Sequence, residues 1–269
     1  MELERSREKL RAQGYGLAAI SYDGVEVLDH FAKRRGIGFP LLSDPDSAVI
    51  KAFGVLNDKA GSNPMFAGIP HPGTFLVDAS GNVTAKFFEE DYRQRYTVSG
   101  IFSRQFGEDF ATAREKVDSK FVTVTASISD TSLRPGQHTV LTLEVDVKPG
   151  LHVYAPGVSD DFIPVRWDAK DTASYALKAP AFPAPVKLKV GGDPEPVPVF
   201  QGKFRVTREI VLSAKPEPDA SGDVAIANEF RYQACTDTVC YPPVTVPLAW
   251  KVHVEGHDRE RVPEALRRK

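Results

Sequence analysis

The chain has 269 residues, enough for two ordinary domains. A hydrophobic share of 42% and a charged share of 26% belong to a globular protein and exclude a disordered or fibrous one. With 34 basic against 36 acidic side chains the formal net charge is −2, which excludes the strong basic field of a nucleic-acid or anionic-membrane binder.

The N-terminus, Met1-Glu2-Leu3-Glu4-Arg5-Ser6-Arg7, is charged and lacks the apolar stretch of a signal peptide as written. Tyr15 to Ser21 is a short strand-like run, and Asp23 to Glu26 then reads as a capping box with Asp23 as N-cap. Val27, Leu28 and Phe31 mark one apolar helix face, ended by Gly36. Ser43-Asp44-Pro45 opens another short helix with Val49, Ile50 and Phe53 turned inward and Gly54 as the stop. Thr74 to Asp78, a turn at Ser80-Gly81-Asn82 and Val83 to Phe88 predict an antiparallel hairpin. A helix near Val98 to Phe106 closes this α/β part.

The stretch from Gly107 to Lys120 is polar and reads as helix or linker. After it the period changes to two: Val122, Val124, Ala126 and Ile128 alternate with polar residues. Leu141 to Val147 and Val244 to Val254 do the same, with turn signals at Arg134-Pro135-Gly136 and Lys148-Pro149-Gly150. Short alternating strands at this spacing predict an all-β sandwich. The proline-dense segment from Pro180 to Pro198 belongs at sheet edges and in loops, because proline removes a ladder donor. No apolar run reaches the roughly 18 residues that span a bilayer, so membrane insertion is not expected.

The two cysteines lie in Tyr232-Gln233-Ala234-Cys235-Thr236-Asp237-Thr238-Val239-Cys240-Tyr241-Pro242-Pro243, between two strand runs. Both sulfurs can therefore sit at the end of a hairpin and face each other. Closing so short a loop stabilises a fold by only about 2 kcal/mol, while paired thiols on short loops also serve exchange chemistry. Spacing alone leaves a structural staple and a redox couple equally open.

This segment resembles the active-site motif of the N-terminal periplasmic domain of the thiol:disulfide interchange protein DsbD, an immunoglobulin-like sandwich, over roughly residues 120 to 254. Gly150-Leu151-His152-Val153-Tyr154 is similar to that family's strand near the active site, and Val199-Phe200-Gln201-Gly202-Lys203 to its cap loop. The resemblance implies that Cys235 and Cys240 are the redox couple, Phe200 a cap over them, and Tyr154, Tyr232 and Pro242 pocket residues. The family's acidic residues before the cap are replaced by Pro198 and Val199.

Residues 14 to 106 resemble the redoxin branch of the thioredoxin fold (peroxiredoxin-like and TlpA-like proteins). The carriers are Tyr15 to Asp23, Pro40-Leu41-Leu42-Ser43-Asp44-Pro45 and His71-Pro72-Gly73-Thr74-Phe75-Leu76-Val77-Asp78. By that resemblance the His71–Pro72 bond is expected to be cis. The family's first central strand and its reactive cysteine are not in the chain, which starts inside the following helix at Glu2 to Arg11. A central strand's absence leaves ladder groups open on Tyr15–Ser21 and Thr74–Asp78. The expectation is thus an N-terminally truncated product, with a cysteine or selenocysteine codon upstream, rather than a remnant domain.

His253 and His257 lack the helix and glutamate of a zinc-binding pattern, and no metal or cofactor is expected. Expected boundaries are a thioredoxin-like domain at 1–110, a linker at 111–120, the sandwich at 121–255 and a tail at 256–269. The expected function is thiol–disulfide exchange through Cys235 and Cys240, as a thiol-disulfide oxidoreductase working with a redoxin active site. The alternative is a non-catalytic binding module with a structural disulfide. The implied partner is a thioredoxin-like protein or a membrane thiol reductant, in the periplasm, and the incomplete sheet offers a route to homo-oligomers.

Overall fold

The computed structural model describes residues 2–60, 66–88, 94–105, 111, 113–190 and 195–266. The chain forms two compact units, residues 1–98 with 257–269, and residues 99–256.

In the first unit, helix Glu2–Ala12 is followed by strand Ala19–Ser21, helix Val25–Arg35, strand Leu41–Ser43 and a short helix Ala48–Ala52. Ala19–Ser21 and Leu41–Ser43 pair in parallel, as a helix crossover requires. Gly36 ends the second helix in the left-handed region at φ 61°, the conformation a glycine adopts without a Cβ clash. The expected capping box is corrected: Gly24 is the N-cap with no side-chain cap bond, because Asp23 instead accepts the Ser21 hydroxyl at 2.6 Å. Asp44 takes the capping role at the next helix, accepting the amides of Ala48 and Ile50 at 3.0 and 2.9 Å. Of the three residues expected inward there, Ile50 is buried, but Val49 and Phe53 are 43% and 50% exposed.

The hairpin is present as Gly73–Val77 and Val83–Phe88, antiparallel, with the Asp78 carboxylate holding the amides of Ser80 and Asn82 at 2.9 Å each. Among the described residues the parallel pair and the hairpin remain two separate two-stranded sheets. The expected cis His71–Pro72 bond is also corrected, since no cis peptide occurs among the described residues. An X–Pro bond favours trans by about 0.5–1 kcal/mol unless packing opposes it. The expected tail is not free: Asp258 and Glu260 both pair with Arg34 of the second helix, Asp258 at 2.8 Å.

The second unit begins at Ser99, the second residue of helix Val98–Gln105; Phe106, expected to close it, lies outside the described residues. One sheet runs in the order Tyr175–Leu177, Lys203–Leu212, Gln137–Val147, Val122–Ile128, Ala113–Asp118. A second runs Arg166–Ala169, Asp223–Tyr232, Val244–Val254, Ser132–Leu133. The expected linker thus holds an edge strand, Ala113–Asp118, in register with Val122–Ile128. Only Val117 on it is partly buried, so it carries no apolar alternation to read.

On Asp223–Tyr232 and Val244–Val254 burial follows period two. On Asp223–Tyr232 the buried positions are Val224, Ile226, Asn228, Phe230 and Tyr232. The apolar ones, Val224, Ile226 and Phe230, meet Val124, Leu143, Val145, Val206 and Ile210 of the facing sheet in one core. Each such side chain contributes about 1.5–3 kcal/mol on burial. At the rim, the Glu209 carboxylate accepts His138 Nδ1 and Lys178 Nζ at 2.7 Å each and Arg104 at 3.0 Å.

Candidate functional site

A third, smaller sheet carries the cysteines: Val186–Leu188, Val197–Phe200, His152–Tyr154, Ala234–Cys235. It grows out of the sandwich, because Ala234–Cys235 continues the Asp223–Tyr232 strand after a break at Gln233. Its edge strand Val186–Leu188 and the strand holding Pro198 place part of the proline-dense segment in this sheet, where Pro198 lends its carbonyl to Ala155 at 3.0 Å.

Cys235 and Cys240 form a disulfide with S–S 2.05 Å and Cα–Cα 4.1 Å, their backbones meeting in an antiparallel bridge. Thr236 shapes the intervening turn: its amide reaches Val239 O at 2.8 Å, and its hydroxyl oxygen accepts the amides of Thr238 and Val239 at 3.3 and 3.0 Å. Such hydroxyl-to-backbone bonds favour turns over continued strand. The return is fixed by Tyr241 N to Ala234 O at 2.9 Å and by Tyr241 stacking on Phe121 at 4.4 Å. The result is asymmetric: Cys235 is 0% exposed, whereas Cys240 is exposed.

Register decides which side chains surround the bond. His152 pairs with Cys235, and Val153 with Ala234. On the other side Tyr154 pairs with Val199, and Val153 with Phe200. Directly opposed residues share a face, and adjacent ones point to opposite faces. His152, Tyr154, Cys235 and Val199 therefore share one face, and Val153, Ala234 and Phe200 the other. Packing agrees, since Tyr154, Val199 and Cys235 form their own cluster, with Val158, Phe162, Leu188 and Val197 packed on it.

Of the expected site residues, Tyr154 joins the disulfide, its hydroxyl 3.7 Å from Cys240 Sγ. Phe200 does not cover the bond: it is 4% exposed in the sandwich core, stacked on Phe204 at 4.4 Å. Alternation is the reason, because the neighbouring Val199 takes the disulfide face. The ring on that face is Phe162, 4.5 Å from the Tyr154 ring. Tyr232 lies fully buried in the main core, its hydroxyl 2.8 Å from Ser119 Oγ. Pro242 is exposed next to Tyr241, and Pro72 belongs to the first unit.

His152, Val199 and Phe162 were missed by sequence reasoning. His152 stands two residues before Tyr154, so period two could have placed it on the Tyr154 face. Phe162 carries no such signal, as its contact depends on the path of the 155–165 loop. His152 is 1% exposed, and its Nε2 has no hydrogen-bond partner among the described residues. Burial lowers its pKa, while the nearby Asp237 charge acts to raise it. Among the described residues no group of three potential metal ligands occurs.

Residues 1–86 match the AhpC/TSA family, and residues 119–248 match the N-terminal region of thiol:disulfide interchange protein DsbD. Peroxiredoxin Bcp of Escherichia coli strain K12 is 35% identical over 85 residues, covering 32% of this chain and 54% of that protein. Peroxiredoxin Bcp of Xanthomonas campestris is 36% identical over 70 residues, covering 26% of this chain and 43% of that protein. The chain thus spans about half the length of the curated relatives it matches. Among solved structures, the N-terminal periplasmic domain of ScsB from Proteus mirabilis aligns with TM-score 0.35 at 13% identity, covering 54% of this chain and 51% of that one. The reduced N-terminal domain of DsbD from Neisseria meningitidis aligns with TM-score 0.30 at 15% identity, covering 49% and 90%. The chain joins an AhpC/TSA-type redoxin domain at its N-terminal end to a domain of the DsbD N-terminal type.

Proposed function

We propose that this protein relays electrons by thiol–disulfide exchange through Cys235 and Cys240. The observation that carries the reading is the asymmetric disulfide, with one sulfur's residue open to solvent and the other enclosed beside Tyr154 and opposite His152. A partner thiolate reaches Cys240, forms a mixed disulfide there and expels Cys235 as the leaving thiolate. In the opposite direction a Cys240 thiolate attacks the partner's disulfide, and Cys235 resolves the mixed species. The first unit contributes no thiol, since both cysteines of the chain are in the pair. The partner's reactive group therefore comes from a redoxin-type active site on another polypeptide segment, or from a membrane thiol reductant, and the DsbD-type domain makes the periplasm the expected setting.

The test is redox equilibration of the full chain against dithiothreitol or glutathione, alongside electron transfer to a thioredoxin-like acceptor. A reduction potential above about −300 mV, with transfer abolished in Cys235→Ser/Cys240→Ser, is the expected outcome. A lower potential, with transfer equal in the wild type and the double variant, would instead identify a structural bond in a binding module.

A further inference from the structure

We propose that His152 is the proton acceptor for Cys235 in this exchange. The inference rests on the relay reading above and adds a residue to it. Three observations carry it. His152 is the direct cross-strand neighbour of Cys235, so both side chains leave the same face about 5 Å apart at Cβ. Both are buried, at 1% and 0% exposure, where solvent cannot serve as the proton acceptor. The imidazole Nε2 is enclosed without a hydrogen-bond partner among the described residues, a cost that structure alone does not repay.

The surroundings leave few competing groups. Tyr154, on the same strand, meets the imidazole edge-on at 5.4 Å and places its hydroxyl at Cys240. Among the described residues Asp237, on the turn between the cysteines, supplies the charge that acts on the ring. The Val197–Phe200 strand presents Val199 to this face, and Asp160 and Asp161 on the Phe162 loop are solvent-exposed. Burial favours the neutral ring, which is the form able to accept a proton.

The step balances as follows. In the mixed disulfide, Cys240 Sγ is bonded to the partner's sulfur and Cys235 is a thiol. His152 takes the Cys235 proton, the Cys235 thiolate attacks Cys240 Sγ, and the Cys235–Cys240 bond forms. The partner's sulfur leaves as thiolate with the electron pair of the broken bond. The partner's disulfide is thereby reduced and the protein's dithiol oxidised, and the imidazolium then releases its proton to solvent. In reverse, the imidazolium returns a proton to the expelled Cys235 thiolate.

The test uses the reduced full-length protein mixed with glutathione disulfide, quenched in acid and resolved by mass spectrometry. Formation of the mixed disulfide at Cys240 and its conversion to the internal disulfide are timed separately from pH 5 to pH 9. In the wild type, conversion should stay nearly level down to the imidazole titration and fall below it. In His152→Gln, conversion should instead fall about tenfold per pH unit throughout the range in which Cys235 is a thiol, following the thiolate fraction. Formation should be equal in both proteins. An unchanged conversion profile in the variant overturns the role of His152 while leaving the relay intact. A wild type that forms no mixed disulfide overturns the relay itself. A second measurement needs no variant: the His152 ring signal, followed by NMR titration, should show a different pKa in the reduced protein from that in the oxidised one, because only the reduced state sets a Cys235 thiol against the ring. Equal values in the two states would count against the proposal even if the variant failed to fold.

Discussion

Replacing Glu209 by Gln tests how much one buried carboxylate contributes to the sandwich. Its pKa stands at about 2 against an ordinary 4.5. Burial, the largest single influence, pushes it up, but hydrogen bonds and charge from His138 and Lys178 more than offset this. At about 1.4 kcal/mol per tenfold, the displacement corresponds to about 3 kcal/mol. The carboxyl is depressed in the folded state, so this contribution is complete above about pH 4.5 and disappears as pH falls through about 2. Trp167 and Trp250 are the only tryptophans, and both are buried in the sandwich core. Their fluorescence in urea therefore follows the second unit within the full chain. Glu209→Gln should be less stable by about 3 kcal/mol at pH 7, with the gap closing to about half near pH 3 and to almost nothing near pH 2. A gap that stays constant from pH 7 to pH 2.5, or one below about 1 kcal/mol at pH 7, would refute the argument that the ion cluster holds the carboxylate ionised.

Phe162→Ala should raise the rate at which dithiothreitol reduces the disulfide severalfold, because it opens the face beside Tyr154. Phe200→Ala should leave that rate unchanged yet cost about 3–5 kcal/mol in urea denaturation, since its ring fills the core. Cys235→Ser/Cys240→Ser should lower the stability of the second unit by about 2 kcal/mol in the same fluorescence assay, the entropy of one short loop.

The strands of the sandwich were legible because their sequences alternate apolar with polar residues, and on Val244–Val254 this matches a wet and a dry face. Val122–Ile128 and Val244–Val254 fall where the alternation of apolar and polar residues puts them. The hairpin of the first unit was legible from its turn chemistry, and Gly36 from its need for a positive φ. Ala113–Asp118 was illegible because an edge strand with a single partly buried side chain leaves no pattern. The cysteine pair was found at once, but its surroundings were not. Phe200 and Val199 are both apolar neighbours, and only the pairing of Val199 with Tyr154 decides which one faces the sulfurs. A slip of one residue in that register would exchange their faces. Asp23 failed as a cap for a local reason: a nearer hydroxyl, on Ser21, claimed its carboxylate first.

The uneven exposure of the two cysteine residues has a stereochemical consequence for the proposed relay. Displacement at divalent sulfur proceeds with the incoming and departing atoms nearly in line across the sulfur under attack. With Cys235 as the departing atom and enclosed, the line of approach runs inward from the solvent side of Cys240. On the proposed relay, a visiting protein then brings its cysteine to Cys240 from the solvent side, and that line of approach fixes how its body is turned as it arrives.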